Sequence, residues 1–190
     1  MPEMKGLAGI VESVKPSGII GVSTQGGAFT PEIIKEMAKN NERPIIFALS
    51  NPTNRAECTA KDAIEHSDGR ALYASGSPMN EVEYKGKKHI PGQGNNSYIF
   101  PGIGLSAVTW KAKKIPDEVF LIAAKICAKM TPDQALHDHG LLYPPIANIR
   151  ELSIQIAVNV GEYLYKKNLA MLQPKPENLV YFLLELSQKK

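Results

Sequence analysis

The chain has 190 residues, 43% of them apolar and 22% charged, and a net charge of +3 at pH 7. This is the size and composition of a globular protein with a core of its own, and the charge is too small to argue for a nucleic-acid partner. No segment is apolar for long enough to cross a bilayer, and Cys58 and Cys127 lie far apart with no CxxC partner, which argues against a disulfide framework or a cysteine zinc site and for a reducing compartment.

The start, Met1 to Pro16, lacks the continuous apolar run and cleavage site of a signal peptide. It reads instead as a helix already in progress over residues 4–14, with Leu7, Ile10, Val11 and Val14 on one side and a stop before Lys15-Pro16. Gly18 to Ser23 is short, apolar and bounded by turn signals, as a buried strand is. Gly26-Gly27 opens a loop. Thr30-Pro31-Glu32 then supplies an N-cap, a proline at the first helical position and a first-turn acid, so a helix runs to about Asn40.

Pro44 to Leu49 reads as a second buried strand and Ser50-Asn51-Pro52-Thr53 as the loop at its carboxyl end. Thr59 with Asp62 makes a capping box that starts a helix to about Ser67. Ala71 to Ser75 is a third short strand, ending in Gly76-Ser77-Pro78. Residues 81–90 are polar around Gly86 and form a surface hairpin or loop. From Phe100 onward the pattern is helical. Ile103, Leu105, Ala107 and Val108 predict a deeply buried helix. Pro116 starts another, with Phe120, Ala123, Ala124 and Cys127 at helical spacing. Thr131-Pro132-Asp133 caps a short one, and Pro145 starts a long one with Ile149, Leu152, Ile156, Val160 and Leu164 down one face. The basic cluster Lys111 to Lys114 reads as a solvated helix end, with a phosphate footprint as the alternative. The fold class is therefore α/β: a partial Rossmann-like parallel sheet of about three strands, followed by a mainly helical C-terminal half.

In an open α/β sheet, ligands bind beyond the carboxyl ends of the strands. Two loops meet that condition, Ser23 to Gly27 and Ser50 to Thr53. Asn51 precedes proline, which stiffens its backbone, and its amide both donates and accepts; an Asx-turn capping the loop is the structural alternative. The stretch PGQGNNSYIFPG, residues 91–102, raises the same choice. Asn95 and Asn96 supply uncharged donors suited to a carboxylate or a developing enolate, or one of them is an N-cap.

Gly92-x-Gly94-x-x-Ser97 follows no convincing buried strand, and its third position is wrong for a dinucleotide fingerprint. A P-loop and a GxSxG are both absent. His137 and His139, two residues apart, point to different faces of a helix, and no acidic pair at a strand end suggests a divalent metal. The residues alone thus describe a binding half with no catalytic acid or base and no metal cage.

Several of these stretches resemble the malic enzymes. They are Arg43 to Thr53, Ala56 to Thr59, Gly69-Arg70, Ala74 to Pro78, Pro91 to Asn96, Tyr98 to Gly102 and Leu142 to Pro145 with Ile149, together with Gly21-Val22-Ser23 and Gly26 to Thr30. The resemblance runs from about residue 5 to about residue 176. It implies oxidation and decarboxylation of (S)-malate to pyruvate and CO2 with NAD or NADP, aided by Mg2+ or Mn2+. It implies substrate-binding roles for Asn51, Asn95 and Asn96, and cofactor-proximal roles for Asn51, Gly26 and Gly27. The family's catalytic tyrosine, lysine and aspartate, its acidic metal ligands and its glycine-rich dinucleotide fingerprint match nothing in these residues.

On that basis residues 1–165 are expected to be the C-terminal part of an NAD(P)-binding domain and 166–190 a tail with an atypical end. The chain is expected to be a fragment or short form, inactive alone, or else a non-catalytic subunit that co-assembles with a full-length enzyme. The family further implies homo-oligomers, no nucleic-acid or membrane partner, and a cytoplasmic or mitochondrial-matrix location, between which the residues do not choose.

Overall fold

A computed structural model describes residues 6–188. In chain order the first elements are α1 (Gly6–Val14), β1 (Gly18–Gly21), α2 (Pro31–Asn40), β2 (Ile45–Ala48), α3 (Ala60–His66), β3 (Leu72–Ser75), β4 (Val82–Tyr84), β5 (Lys87–His89) and β6 (Gly92–Gln93). After them come α4 (Phe100–Thr109), α5 (Glu118–Lys129), α6 (Asp133–His139), α7 (Ile149–Lys166) and α8 (Leu179–Gln188). They form two compact units, one of residues up to 95 with 132–142, the other of residues 96–131 and 143 onward. Residues 4 and 5 of the expected first helix lie outside the described residues.

The first unit is built on a parallel sheet of order β1-β2-β3-β6. Gly18 aligns with Ile45, Ile45 with Leu72, and Ala74 with Gly92. The sheet has four strands where the sequence predicts about three. Gly92–Gln93 has only two residues and no strand-like pattern, and it becomes a strand by pairing with Ala74 and Ser75. Residues 82–89 form the expected hairpin, β4 against β5.

Ile34, Met37 and Ile46 are completely buried between α2 and the sheet, each contributing about 1.5–3 kcal/mol relative to exposure. Thr30 caps α2 by accepting from Ile33 N–H, and Thr59 with Asp62 forms the expected capping box. The carbonyls at the far end of α2 find a cation. Arg70 donates to Ala38 O at 2.8 Å, Asn41 O at 2.9 Å and Glu42 O at 3.0 Å. On α1 only Val11 is buried, while Leu7, Ile10 and Val14 on the same side remain exposed. Helix α6 is clipped to the hairpin, since Ile90 N–H donates to His139 O at 2.8 Å. It ends in Gly140 at φ 69°, whose N–H bonds Leu136 O. Its start has no side-chain cap; Thr131 Oγ1 donates instead to Cys127 O.

The second unit is helical. Leu152, Ile156, Val160 and Leu164 form the predicted buried stripe of α7. Trp110 sits at the centre, fully buried, its Nε1 donating to Ala157 O at 2.9 Å and its ring against Tyr165 and Phe182. Two faces differ from expectation. Helix α4 buries only Gly102, Ile103 and Ser106, and Val108 is 79% exposed. Its apolar run has no 3.6-residue period, so sequence alone could not say which side faces in. Helix α5 buries Val119, Ala123 and Cys127, which leaves Phe120 and Ala124 outside. Among the described residues no helix is long and apolar enough to cross a membrane.

Candidate functional site

Four loops meet the carboxyl edge of the first unit's sheet, after β1, β2, β3 and β6. Strand β2 ends at Ala48 and hands the chain to Leu49, Ser50 and Asn51; the Asn51-Pro52 peptide is cis. Asn51 is exposed, and it does not close an Asx-turn. Its Oδ1 accepts a short hydrogen bond from Ser77 Oγ in the loop after β3. Gly76 makes that approach possible: a Cβ there would lie 2.2 Å from Leu49 O and 2.8 Å from Asn51 Nδ2. With the oxygen committed to Ser77, the amide nitrogen is the end of Asn51 left to donate outward.

Asn95 is exposed and follows Gly94, whose N–H donates to Ser75 O at 2.8 Å. The strand order puts Asn51 past β2 and Asn95 past β6, with the end of β3 between them. Strands spaced about 4.8 Å apart set the ends of β2 and β6 about 10 Å from each other. The structure therefore brings Asn51 and Asn95 to one edge of one sheet. Asn96 is the first residue of the 3-10 turn Asn96–Tyr98 in the second unit, and Ile99 N–H donates to its carbonyl at 3.1 Å.

Gly26 and Gly27 lie in the loop after β1, which is tied along its length to the loop after β2. Thr24 N–H donates to Ser50 Oγ at 2.9 Å, Gly27 N–H to Ala56 O at 3.1 Å and Phe29 N–H to Glu57 O at 2.9 Å. A Cβ on Gly26 would meet Asn54 O at 2.9 Å, and Gly27 has φ +74°. Gly26 thus has a packing reason and Gly27 a conformational one to be where they are, on the loop beside Asn51.

Beneath these loops lies Glu57, 1% exposed and the one buried carboxylate among the described residues. It accepts from Ser50 N–H at 3.4 Å and, through a short bond, from Ser50 Oγ. Ser50 Oγ in turn accepts from Thr24 N–H, so one carboxylate anchors both loops. Gly21 leaves the room for it, since a Cβ on Gly21 would sit 2.3 Å from the Glu57 carboxyl carbon. Burial, with Asp62 and Glu57 nearby, pushes the Cys58 thiol up to about 12, and burial also raises the Tyr73 hydroxyl, which donates to Cys58 O at 3.0 Å. Neither group is a candidate nucleophile or base. Ser77 and the Ser50–Glu57 pair escaped the sequence reading. A Gly-Ser-Pro at a strand end and a lone Glu in a loop carry no local sign of the partners they find across 26 and 7 residues.

Comparison with known proteins decides the family. The profile described as "Malic enzyme, NAD binding domain" matches residues 1–165. The chain belongs to the malic enzyme family. It is 47% identical over 186 residues to the human mitochondrial NADP-dependent malic enzyme, covering 97% of this chain and 31% of that one. It is 48% identical over 179 residues to the mitochondrial NAD-dependent malic enzyme of Ascaris suum, covering 94% of this chain and 28% of that one. Among solved structures, the malic enzyme of Entamoeba histolytica superposes with a TM-score of 0.70 at 26% identity, covering 91% of this chain and 32% of that one. The chain thus spans about a third of the length of the malic enzymes it matches. Relatives named for NAD and for NADP both match at the same level, so overall similarity does not separate the two cofactors.

The divalent ion implied by the family does not fit the residues present. Among those described, no group of three or more His, Cys, Asp or Glu side chains is arranged to hold a metal.

Proposed function

We propose that these residues form the substrate-facing and cofactor-facing edge of an NAD(P)-dependent malic enzyme, which oxidises (S)-malate and decarboxylates it to pyruvate and CO2 while reducing NAD or NADP. Asn51 and Asn95, with Asn96 beside it in sequence, donate amide hydrogen bonds to a carboxylate of malate. Asn51, Gly26 and Gly27 face the nicotinamide side of the cofactor. The observation that carries the reading is the Ser77–Asn51 bond, in which the amide oxygen accepts and the N–H donors are left for an anionic ligand. A separation of about 10 Å between strand ends two places apart is one that two asparagine side chains and a four-carbon diacid can bridge.

The cofactor supplies the hydride acceptor, and this chain's amides orient the substrate toward it. The general acid, the general base and the ligands for Mg2+ or Mn2+ come from residues outside these 190. The chain alone therefore does not turn over malate. The test is an assay of the purified chain with malate, Mn2+ and both cofactors, alongside cofactor titration of the parent and Asn51→Ala. We expect no turnover and weaker cofactor binding in the variant. Turnover on the order of 1 per second, or identical cofactor binding by both chains, contradicts the reading.

A second reading, a non-catalytic chain that co-assembles with full-length malic enzyme, draws on the outer edge of β1. That strand has no neighbour on one side among the described residues, and Ile20 is 64% exposed. Co-purification with a full-length enzyme supports it; a chain that stays monomeric in that mixture contradicts it. In the first reading the full-length enzyme is a homo-oligomer; in the second the short chain joins full-length chains in a mixed assembly.

A further inference from the structure

The amino edge of the first unit's sheet carries a cavity of its own, of about 390 Å3, at the entries to β2 and β3. That lies within the range of small-molecule sites, roughly 300–1,000 Å3. Its polar and charged lining comes from four stretches distant in sequence: Glu42 and Arg43 before β2, Arg70 before β3, Lys87 and His89 in β5, and His137 in α6. Three permanent cations thus face one carboxylate, in a chain whose whole net charge is only +3.

The three cations are not equally committed. Arg70 spends three donors on the carbonyls that end α2, which accounts for it structurally. Arg43 makes one long bond, to Leu136 O at 3.4 Å, and Lys87 one, to His137 O at 3.1 Å. A guanidinium has five N–H donors and an ammonium three, so both keep donors for a ligand. Both bonds go to α6 carbonyls, Leu136 O and His137 O, whose residues also line the cavity. A planar fork beside a point charge matches an anion with several oxygens, and the volume exceeds what one inorganic ion fills.

We propose that this cavity binds a small molecule of the phosphate-ester or diphosphate class, gripped by Arg43 and Lys87 with Arg70 adding charge from behind. Glu42 restricts the site to ligands whose own charge outweighs its carboxylate. The site draws on none of the carboxyl-edge residues, so it stands or falls independently of the malate reading.

The probe is inorganic pyrophosphate, titrated into the isotope-labelled chain at constant ionic strength and followed by amide NMR. Malonate serves as a dianion of carboxylates, and Arg43→Ala/Lys87→Ala as the variant. Both replaced side chains are exposed, so the variant keeps its urea midpoint. Saturable shifts centred on residues 42–43, 69–72, 87 and 140 are expected, with weaker response to malonate. Losing two partly exposed charge contacts weakens pyrophosphate binding about tenfold. No saturable shift, equal binding by malonate, equal binding by the double variant, or shifts centred elsewhere each overturn the proposal.

Discussion

Removing the Glu57 carboxylate tests whether the two loops at the carboxyl edge are held from below. In Glu57→Ala the Ser50 N–H and Oγ lose their acceptor in a site where Glu57 is 1% and Ser50 4% exposed. Each orphaned donor costs about 1–3 kcal/mol, though the hydroxyl can turn to another acceptor. The lost side chain adds about 0.8 kcal/mol per buried methylene. The sum is about 3–4 kcal/mol of lost stability. Gly21→Ala destabilises through the same contact, because its Cβ would lie 2.3 Å from the Glu57 carboxyl carbon. Once Glu57 is gone the added methyl has room, so the double variant loses less than the sum of the singles, by about 1 kcal/mol or more. Urea unfolding followed by amide signals of the first unit measures all three; Trp110 fluorescence reports on the second unit and serves as the control. A Glu57→Ala chain within about 0.5 kcal/mol of the parent, or strict additivity with Gly21→Ala, refutes the clamp.

Further expectations concern the buried titratable groups. Cys58 and Cys127 are both 6% exposed and burial raises both thiols, Cys58 to about 12, so neither is alkylated by iodoacetamide at pH 8 until urea unfolds its unit. Fast labelling of Cys58 in the native chain contradicts this. His89 is 5% exposed, and burial, with Lys87 and His139 nearby, lowers it below its ordinary 6.5. The unfolded chain therefore takes up the proton first, and the contribution of His89 is full above pH 6.5 and is lost as pH falls below it. His89→Asn flattens the acid side of the stability profile; an unchanged acid limb counts against the assignment.

The βαβ alternation and the caps of α2 and α3 were legible because each is a local signal: a proline at the first turn, a Thr with an acid three residues on, short apolar runs between glycines. Strand β6 was not, since two residues become a strand only by finding Ala74 and Ser75. The inward faces of α4 and α5 were misread because Val108 and Phe120 are as apolar as their buried neighbours, and which side is covered depends on where α7 lies. At the site, Asn51 stood out as an amide before proline in a strand-end loop, and Asn95 as an amide after Gly92 and Gly94. The groups that hold Asn51 and its loop did not: Ser77 reaches Asn51 across 26 residues, and Glu57 reaches Ser50 from beneath the loop. Sequence singled out the amides as candidates; only the fold shows that the Asn51 oxygen already has a partner in Ser77.

The most direct measurement is a titration of the labelled chain with (S)-malate in the presence of NADP+, reading the side-chain amide signals of Asn51 and Asn95. Both should shift together with one saturation curve, and Ser77→Ala should weaken binding about threefold to thirtyfold as Asn51 loses the bond that aims it. Malate that leaves both side-chain signals unmoved at saturating cofactor, or moves them with unrelated affinities, contradicts a shared carboxylate site at this edge of the sheet.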